Sequence, residues 1–325
     1  MIHWPSSSNN CHRRDHRGRP YVYSHTVIMR CFIVRIWFRL DSNNALHEFL
    51  TMDYPYNKKI SKTCGLIKIP DRRTFDRRLK TISTDLKERI TVMANHFIHE
   101  EMIDPYTVAI DSTLLKAKGY VWHKSSMKKG IVPHSGIDTD ARWGFSHGKG
   151  WIFGYKLHLI SSTGSIIVPL RADFTTANIP DNVMYTPMIL SSSSSSSDCI
   201  CEDTFYMMGD CGYDDQKLYE FSTKRGFELV CPLQRYEHTP INRLQLIEFY
   251  ESDLGQDIYS RRSKSIEPLM EHLKHVFRID PLSVRGYHMA AGLVLLSVLV
   301  YQILVYYNIK TGLRRPKSIK HLLCS

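Results

Sequence analysis

None of the eight cysteines stands in a Cys-x-x-Cys pair with downstream His or Cys partners. That absence excludes the common zinc modules, whose tetrahedral sites need thiolates and imidazoles at short, paired spacing. The N-terminal stretch lacks the apolar core of a secretion signal. A reducing cytoplasm is therefore expected, with most cysteines standing as buried free thiols in apolar segments. Acidic residues are in deficit: 32 Asp and Glu face 43 Lys and Arg, a formal net charge of +11. A surplus of this size points to a polyanionic partner, nucleic acid or an anionic membrane surface, unless the chain is simply basic. Long apolar runs are scarce. One uncharged segment, Met289–Ile309, is long enough to span a bilayer. It also carries Ser297, Gln302 and several tyrosines. The other reading is a helix apolar all round, buried in a large core.

What is present divides into a helical and a mixed segment. Residues 1–24 form a basic arm with Arg13, Arg14, Arg17 and Arg19, expected to be flexible. Residues 25–104 are expected to be all-helical. Apolar residues recur at helical spacing from His25 to about Phe49, with Asp41 or Ser42 as a cap. A loop is expected around Tyr54–Thr63. Asp71 then caps a helix whose Phe75, Leu79 and Ile82 share one face. Arg72, Arg73, Arg77 and Arg78 fall largely on the others. A short helix, a turn and a basic helix make a helix-turn-helix DNA reader, or else an ordinary helix with a solvated basic face. A further helix spans about Thr84 to Met102.

From residue 105 the period changes. The run 106–110 (YTVAI) is expected as a strand ending in Asp111, followed by a long basic loop to Gly150. Ile152–Ile160 alternates as a strand; its Lys156 and His158 share a face that either approaches a site or meets solvent. A turn at Thr163-Gly164 leads to a hairpin partner (SIIVPLRA), then a helix over about Pro180–Leu190. Residues 191–200 form a serine-rich loop. The run 205–209 (FYMMG) is a strand ending in Asp210. A helix (Tyr213–Arg225), a strand (Phe227–Cys231) and a helix from Ser265 to Phe277 follow. Ser265 caps that last helix, and Pro268 places Glu267 in its first turn. This is the element order of an α/β ribonuclease H-like mixed sheet flanked by helices. Its first and fourth strands lie parallel and adjacent, bringing both Asp residues to their carboxyl ends.

Asp111, Asp210 and Glu267 then form a hard-oxygen cluster suited to Mg²⁺ or Mn²⁺. Two such ions roughly 4 Å apart activate an attacking oxygen and stabilise a leaving one in phosphodiester chemistry. Each acid alone is a weak signal; three at matching positions in one fold order are stronger.

The blocks RGRPYVYSHTVIMRCFIVRIWFRLDSNNALHEFL, CGLIKIPDRRTFDRRL, AIDSTLLKAKG, GIDTDARWGFS, GYKLHLISS, FTTANIPDN, MMGDCGYDD and SIEPLMEHLKHVFRIDPLSVRG carry a further signal. Through them the chain resembles the DDE transposases of bacterial and archaeal insertion sequences, in the group with a Tyr-Arg-Glu-Lys signature. The resemblance implies that Asp111, Asp210 and Glu267 are catalytic and hold the metals, and that Lys274 contacts DNA phosphate. It implies that Met289–Ile309 packs on the sheet as a core helix rather than in a membrane. Residues 25–104 then read the element ends, residues 105–313 form the catalytic unit, and 314–325 is a basic tail. The partners implied are double-stranded DNA and further copies of the chain in the active complex, on the nucleoid. Arg262 counts with the DNA contacts, but four residues separate it from Glu267 where the family has three, which leaves its role and that of Tyr259 open. Asp138 and Asp140 belong to a family block with no role derivable from the residues. Alternatives are a related nuclease that does not transpose, a non-catalytic DNA-binding remnant, and a membrane-anchored protein.

Overall fold

The computed structural model of the chain describes residues 22–146, 148–190, 203–233, 235, 239–313 and 315–323. The arginines of the basic arm and the serine-rich loop lie outside the described residues. Among the described residues, five helices precede the first strand: α1 (His25–Trp37), α2 (Asn43–Thr51), α3 (Pro55–Cys64), α4 (Arg72–Leu79) and α5 (Ser83–His99). Their starts follow from side-chain caps. Ser42 Oγ accepts from the Ala45 N–H at 3.0 Å, and Asp71 Oδ1 accepts from the Arg73 N–H at 2.8 Å. Helix α3 replaces the loop expected at Tyr54–Thr63. Its buried face is Asn57, Ser61 and Cys64, at i, i+4 and i+7, so its period is helical but its residues are not apolar. Asn57 and Ser61 donate to the carbonyls of Phe49 and Leu50, which fixes α3 on α2.

Among the described residues, six strands form one mixed sheet in the order β2-β3-β1-β5-β6, with β4 also paired to β3. They are β1 (Thr107–Lys116), β2 (Arg142–Ser146), β3 (Gly150–Ser162), β4 (Pro169–Thr176), β5 (Tyr206–Met208) and β6 (Glu228–Val230). β1 pairs antiparallel with β3 and parallel with β5, as the crossover order requires. β1 does not end at Asp111. Its antiparallel pairing runs on from Asp111↔Leu159 to Lys116↔Gly154, while the parallel pairing with β5 stops at Ala109↔Met208. The expected loop before Gly150 also holds a short helix, α6 (Lys124–Lys128), and β2, which hairpins onto β3.

The remaining helices are α7 (Asp181–Leu190), α8 (Gln216–Lys224), α9 (Ile241–Glu251), α10 (Asp253–Val276) and α11 (Tyr287–Lys310). Helix α10 starts well before Ser265, at a cap in which Ser252 Oγ accepts from the Gly255 N–H. Ser265 is mid-helix, its hydroxyl donating to the Arg261 carbonyl at 2.7 Å, and Pro268 lies inside the helix.

Helix α11 is long and apolar enough to cross a membrane, and 83% of its apolar window is buried inside this fold. Its polar residues are keyed to neighbours. Gln302 Nε2 donates to the carbonyls of Ile90 on α5 and Pro169 on β4, at 3.0 and 2.8 Å. Tyr301 donates to Ile167. A Cβ on Gly292 would fall 2.4 Å from the Leu79 carbonyl oxygen, so glycine permits the close crossing of α11 and α4. Asp138 and Asp140 acquire a role here. Asp138 Oδ2 accepts from the Gly286 N–H at 2.9 Å and Asp140 Oδ2 from the Tyr287 N–H at 3.0 Å. Two carboxylates thus satisfy free donors at the positive end of the core helix. The N-terminal helices, the sheet and α11 share one hydrophobic core.

Candidate active site

The strand register builds the site. Ala109 pairs with Met208 across parallel strands, and Asp111 and Asp210 each follow two residues on, near enough that Asp210 helps to raise the Asp111 pKa. Asp210 lies just past β5, where its Oδ1 accepts from the Gly212 N–H at 2.9 Å and caps a single 3₁₀ turn, Cys211–Tyr213. Asp111 is held by the Ser112 N–H on Oδ1 at 2.7 Å and by Arg262 Nη2 on Oδ2 at 2.8 Å. Burial pushes the Asp111 carboxyl up to about 6; Arg262 opposes this, and Asp210 and Asp181 add to it. Burial and the two neighbouring acids make ionisation of Asp111 harder, against the pull of Arg262.

Glu267 comes from α10. Arg262 Nη1 donates to its Oε1 at 2.8 Å, so one guanidinium joins Asp111 to Glu267. The Glu267 side chain is 52% exposed against 16% for Asp111. Helical geometry explains the difference. A residue four after Arg262 would stay within about 40° of it; five after turns roughly 140° away. The fourth position is Ile266, which is fully buried, and Glu267 is rotated toward solvent. The oxygen donors of Asp111 and Asp210 suit a hard divalent cation. Among the described residues, however, no group of three His, Cys, Asp or Glu gathers as a ready metal site.

Sequence reasoning missed two residues here. Asp181, at the start of α7, accepts from Ser112 Oγ at 2.6 Å and from Lys156 Nζ at 2.9 Å. Its only signal was its place at a helix start in the block FTTANIPDN. Lys156 and His158 are buried, not solvent-facing. His158 Nδ1 lies 3.8 Å from Asp181, and burial holds its pKa down to about 4. The second is Tyr213. It is 1% exposed and its hydroxyl has no partner among the described residues. Burial, then Asp181, Asp111 and Asp210, push its pKa well above the ordinary value.

The other expected residues are placed as follows. Tyr259 packs edge-on against Tyr250, with ring centroids 5.2 Å apart. Lys274 is buried, 3.4 Å from Glu271, with its pKa lowered chiefly by burial. On α4, Arg72, Arg73 and Arg77 are exposed and Arg78 is buried. Cys31, Cys64 and Cys231 are buried free thiols, and Cys211 is an exposed one.

A family model described as the transposase DDE domain matches residues 103–303, well over half of the chain. No curated protein matches it. Among solved structures, a piggyBac transposase synaptic complex with hairpin DNA aligns at TM-score 0.37 and 10% identity, covering 94% of this chain and 72% of that one. A pre-cleavage Mos1 transpososome aligns at TM-score 0.19 and 10% identity, covering 88% and 79%.

Proposed function

The chain belongs to the transposase DDE domain family, and from that membership we propose that it binds the terminal inverted repeats of an insertion sequence and catalyses metal-dependent DNA cleavage and strand transfer. The observation that carries the reading is the parallel register of β1 and β5, whose last pair, Ala109↔Met208, stands two residues before both Asp111 and Asp210. Asp111, Asp210 and Glu267 are the residues that would hold Mg²⁺ or Mn²⁺. Glu267 must first turn off Arg262 to do so. When bound, two such ions activate the attacking oxygen and stabilise the leaving one. The chain's own work is then positioning. Ser112 and Arg262 orient the Asp111 carboxylate, and Asp210 is fixed by the turn that it caps. Lys274, two helical turns beyond Glu267, would meet a backbone phosphate only after leaving its buried place beside Glu271.

Binding of element ends is assigned to the helical segment 25–104, with Arg72, Arg73 and Arg77 of α4 facing phosphates. Joining two ends calls for more than one protomer, on the nucleoid in the cytoplasm. A second reading, a DNA-binding remnant without catalysis, draws on one observation: Glu267 lies off the line of the other two acids, paired to Arg262.

One assay separates the two. DNA carrying the flanks of this gene is incubated with Mg²⁺ or Mn²⁺ and wild-type protein or the Asp111→Ala, Asp210→Ala and Glu267→Ala variants. Cleavage and joining at the element ends, abolished in all three variants with DNA binding retained, supports the transposase. Binding without cleavage by wild type supports the remnant. Full cleavage by Asp210→Ala refutes the acid assignment.

A further inference from the structure

Buried tyrosines in this fold pair their hydroxyls, with one exception. Tyr155 Oη donates to Asp138 and Tyr301 Oη to the Ile167 carbonyl, each at 3.0 Å. Tyr185 Oη lies 2.7 Å from Ser222 Oγ, and Tyr219 Oη lies 2.9 Å from Cys231 Sγ. Tyr213 is as deeply buried as these, yet its hydroxyl has no partner among the described residues. Such a hydroxyl gives up its hydrogen bonds to water and gains none in return. Phenylalanine would fill the same space without that cost.

The active-site turn itself places this ring. Tyr213 ends the 3₁₀ turn that Asp210 caps, and its N–H donates to the Asp210 carbonyl at 3.1 Å. Its ring lies against Gly209, where a Cβ would fall 2.8 Å from Cδ2 and 3.0 Å from Cγ. On α7 its neighbour is Tyr185, with ring centroids 6.0 Å apart. Held between the end of β5 and α7, the phenol sits among carboxylates. After burial, Asp181, Asp111 and Asp210 disfavour its ionisation, against the pull of Arg262. None of the three acids is within hydrogen-bond distance of Tyr213 Oη. Each is instead held by another donor: Asp181 by Ser112 Oγ and Lys156, Asp111 by the Ser112 N–H and Arg262, and Asp210 by the Gly212 N–H.

We propose that Tyr213 is a positioning residue of the acid centre, its hydroxyl donating to a carboxylate of the Asp111 and Asp210 pair when these hold a divalent cation. The inference rests on the transposase reading and adds a residue to its site. The acids of the cation-free fold are arranged around donors of the chain, and Glu267 must leave Arg262 before it can serve. Carboxylates that ligate a metal are themselves held by hydrogen bonds from the surrounding protein. A phenol suits that place because it is neutral. Lysine or arginine there would cancel the charge that attracts the cation, whereas an O–H donates without doing so. The acids around Tyr213 also keep its proton on the oxygen, so it stays a donor.

The test compares full-length wild type with Tyr213→Phe, with Mn²⁺ as the probe. In EDTA the variant unfolds at the same temperature as wild type or higher, since no hydrogen bond is lost. By titration calorimetry it binds Mn²⁺ about tenfold more weakly, the worth of one hydrogen bond to a charged group. Mn²⁺ produces an ultraviolet difference band from a buried tyrosine in wild type, and that band is missing in the variant. On DNA carrying the element ends, duplex affinity in EDTA is unchanged, while the Mn²⁺ concentration for half-maximal cleavage rises about tenfold. Equal Mn²⁺ affinity in the two proteins, with cleavage by wild type, overturns this inference alone and leaves Tyr213 as a spacer ring. A variant clearly less stable than wild type in EDTA also overturns it, because the hydroxyl would then have a partner in the cation-free fold. Absence of Mn²⁺ binding by wild type overturns the metal-dependent reading beneath it.

Discussion

Arg262 holds Asp111 and Glu267 at the same time, through Nη2 and Nη1, at 2.8 Å in each case. One guanidinium thereby neutralises charge that a divalent cation would otherwise balance. If Asp111 and Glu267 hold a divalent cation as proposed, it competes with the guanidinium for the same carboxylates, and the metal-free fold has only the cation built into the chain.

Removing that guanidinium leaves Asp111 buried beside Asp210 with no counter-charge. Arg262→Ala is expected to lower metal-free stability by on the order of 3 kcal/mol, the range for breaking a buried ion pair from one side. Mn²⁺ should then stabilise the variant more than it stabilises wild type, because it replaces the missing charge. Chemical denaturation with and without Mn²⁺ reads both. Equal Mn²⁺ shifts in the two proteins would show that Arg262 does not occupy the cation's place.

Asp111 makes stability depend on pH in a defined direction. Its folded pKa of about 6 lies above the ordinary 3.8, so between those values the folded state binds more protons than the unfolded one. Stability then falls as pH rises through this window. The cost of the charged carboxylate is absent below about pH 4 and complete above about pH 6, on the order of 3 kcal/mol for a shift of this size. Asp111→Asn removes this titration. The stability difference between variant and wild type, measured in metal-free urea titrations, should therefore move in the variant's favour from pH 4 to 7. A difference flat in pH would show that Asp111 titrates as an ordinary acid.

Asp138 joins the sheet to the core helix, since Tyr155 Oη and the Gly286 N–H both donate to it, at 3.0 and 2.9 Å. It is 3% exposed. Asp138→Ala strands two buried donors and is expected to cost about 2–4 kcal/mol. Thermal unfolding should show a clear fall in Tm. Asp138→Asn keeps an acceptor and should recover part of it. A melting temperature within a degree of wild type for the alanine variant would remove Asp138 from the capping role.

Sequence patterning carries the parts of the fold in which residue type and burial agree. The apolar runs of β1 and β5 each lead to an Asp, so their pairing is legible, and Asp71 with Phe75 and Leu79 marks α4. Patterning fails where burial falls on polar residues. Helix α3 buries Asn57, Ser61 and Cys64, which no hydrophobic period reveals. Ser265 and Pro268 mimic a helix beginning in the middle of α10, while the polar turns from Asp253 give no apolar signal of its true start. β2 hides in a basic, glycine-containing stretch. Tyr213 and Asp181 come near Asp111 only through tertiary packing, and no spacing along the chain encodes that.

The arginines of α4 are the most direct probe of DNA binding, because the fold separates them. Arg72, Arg73 and Arg77 are exposed, and Arg78 is 7% exposed beneath them. If α4 lies on phosphates, replacing the first three with alanine should weaken duplex binding at every sequence. It should also shallow the slope of log affinity against log salt by about 0.9 for each phosphate that is no longer neutralised. Arg78→Ala should act differently, lowering the melting temperature while leaving the salt slope of the remaining folded protein near that of wild type. Anisotropy titrations across a salt series, paired with thermal unfolding, distinguish the two classes. An unchanged slope in the triple variant would take α4 off the DNA and leave its arginines as a solvated basic face.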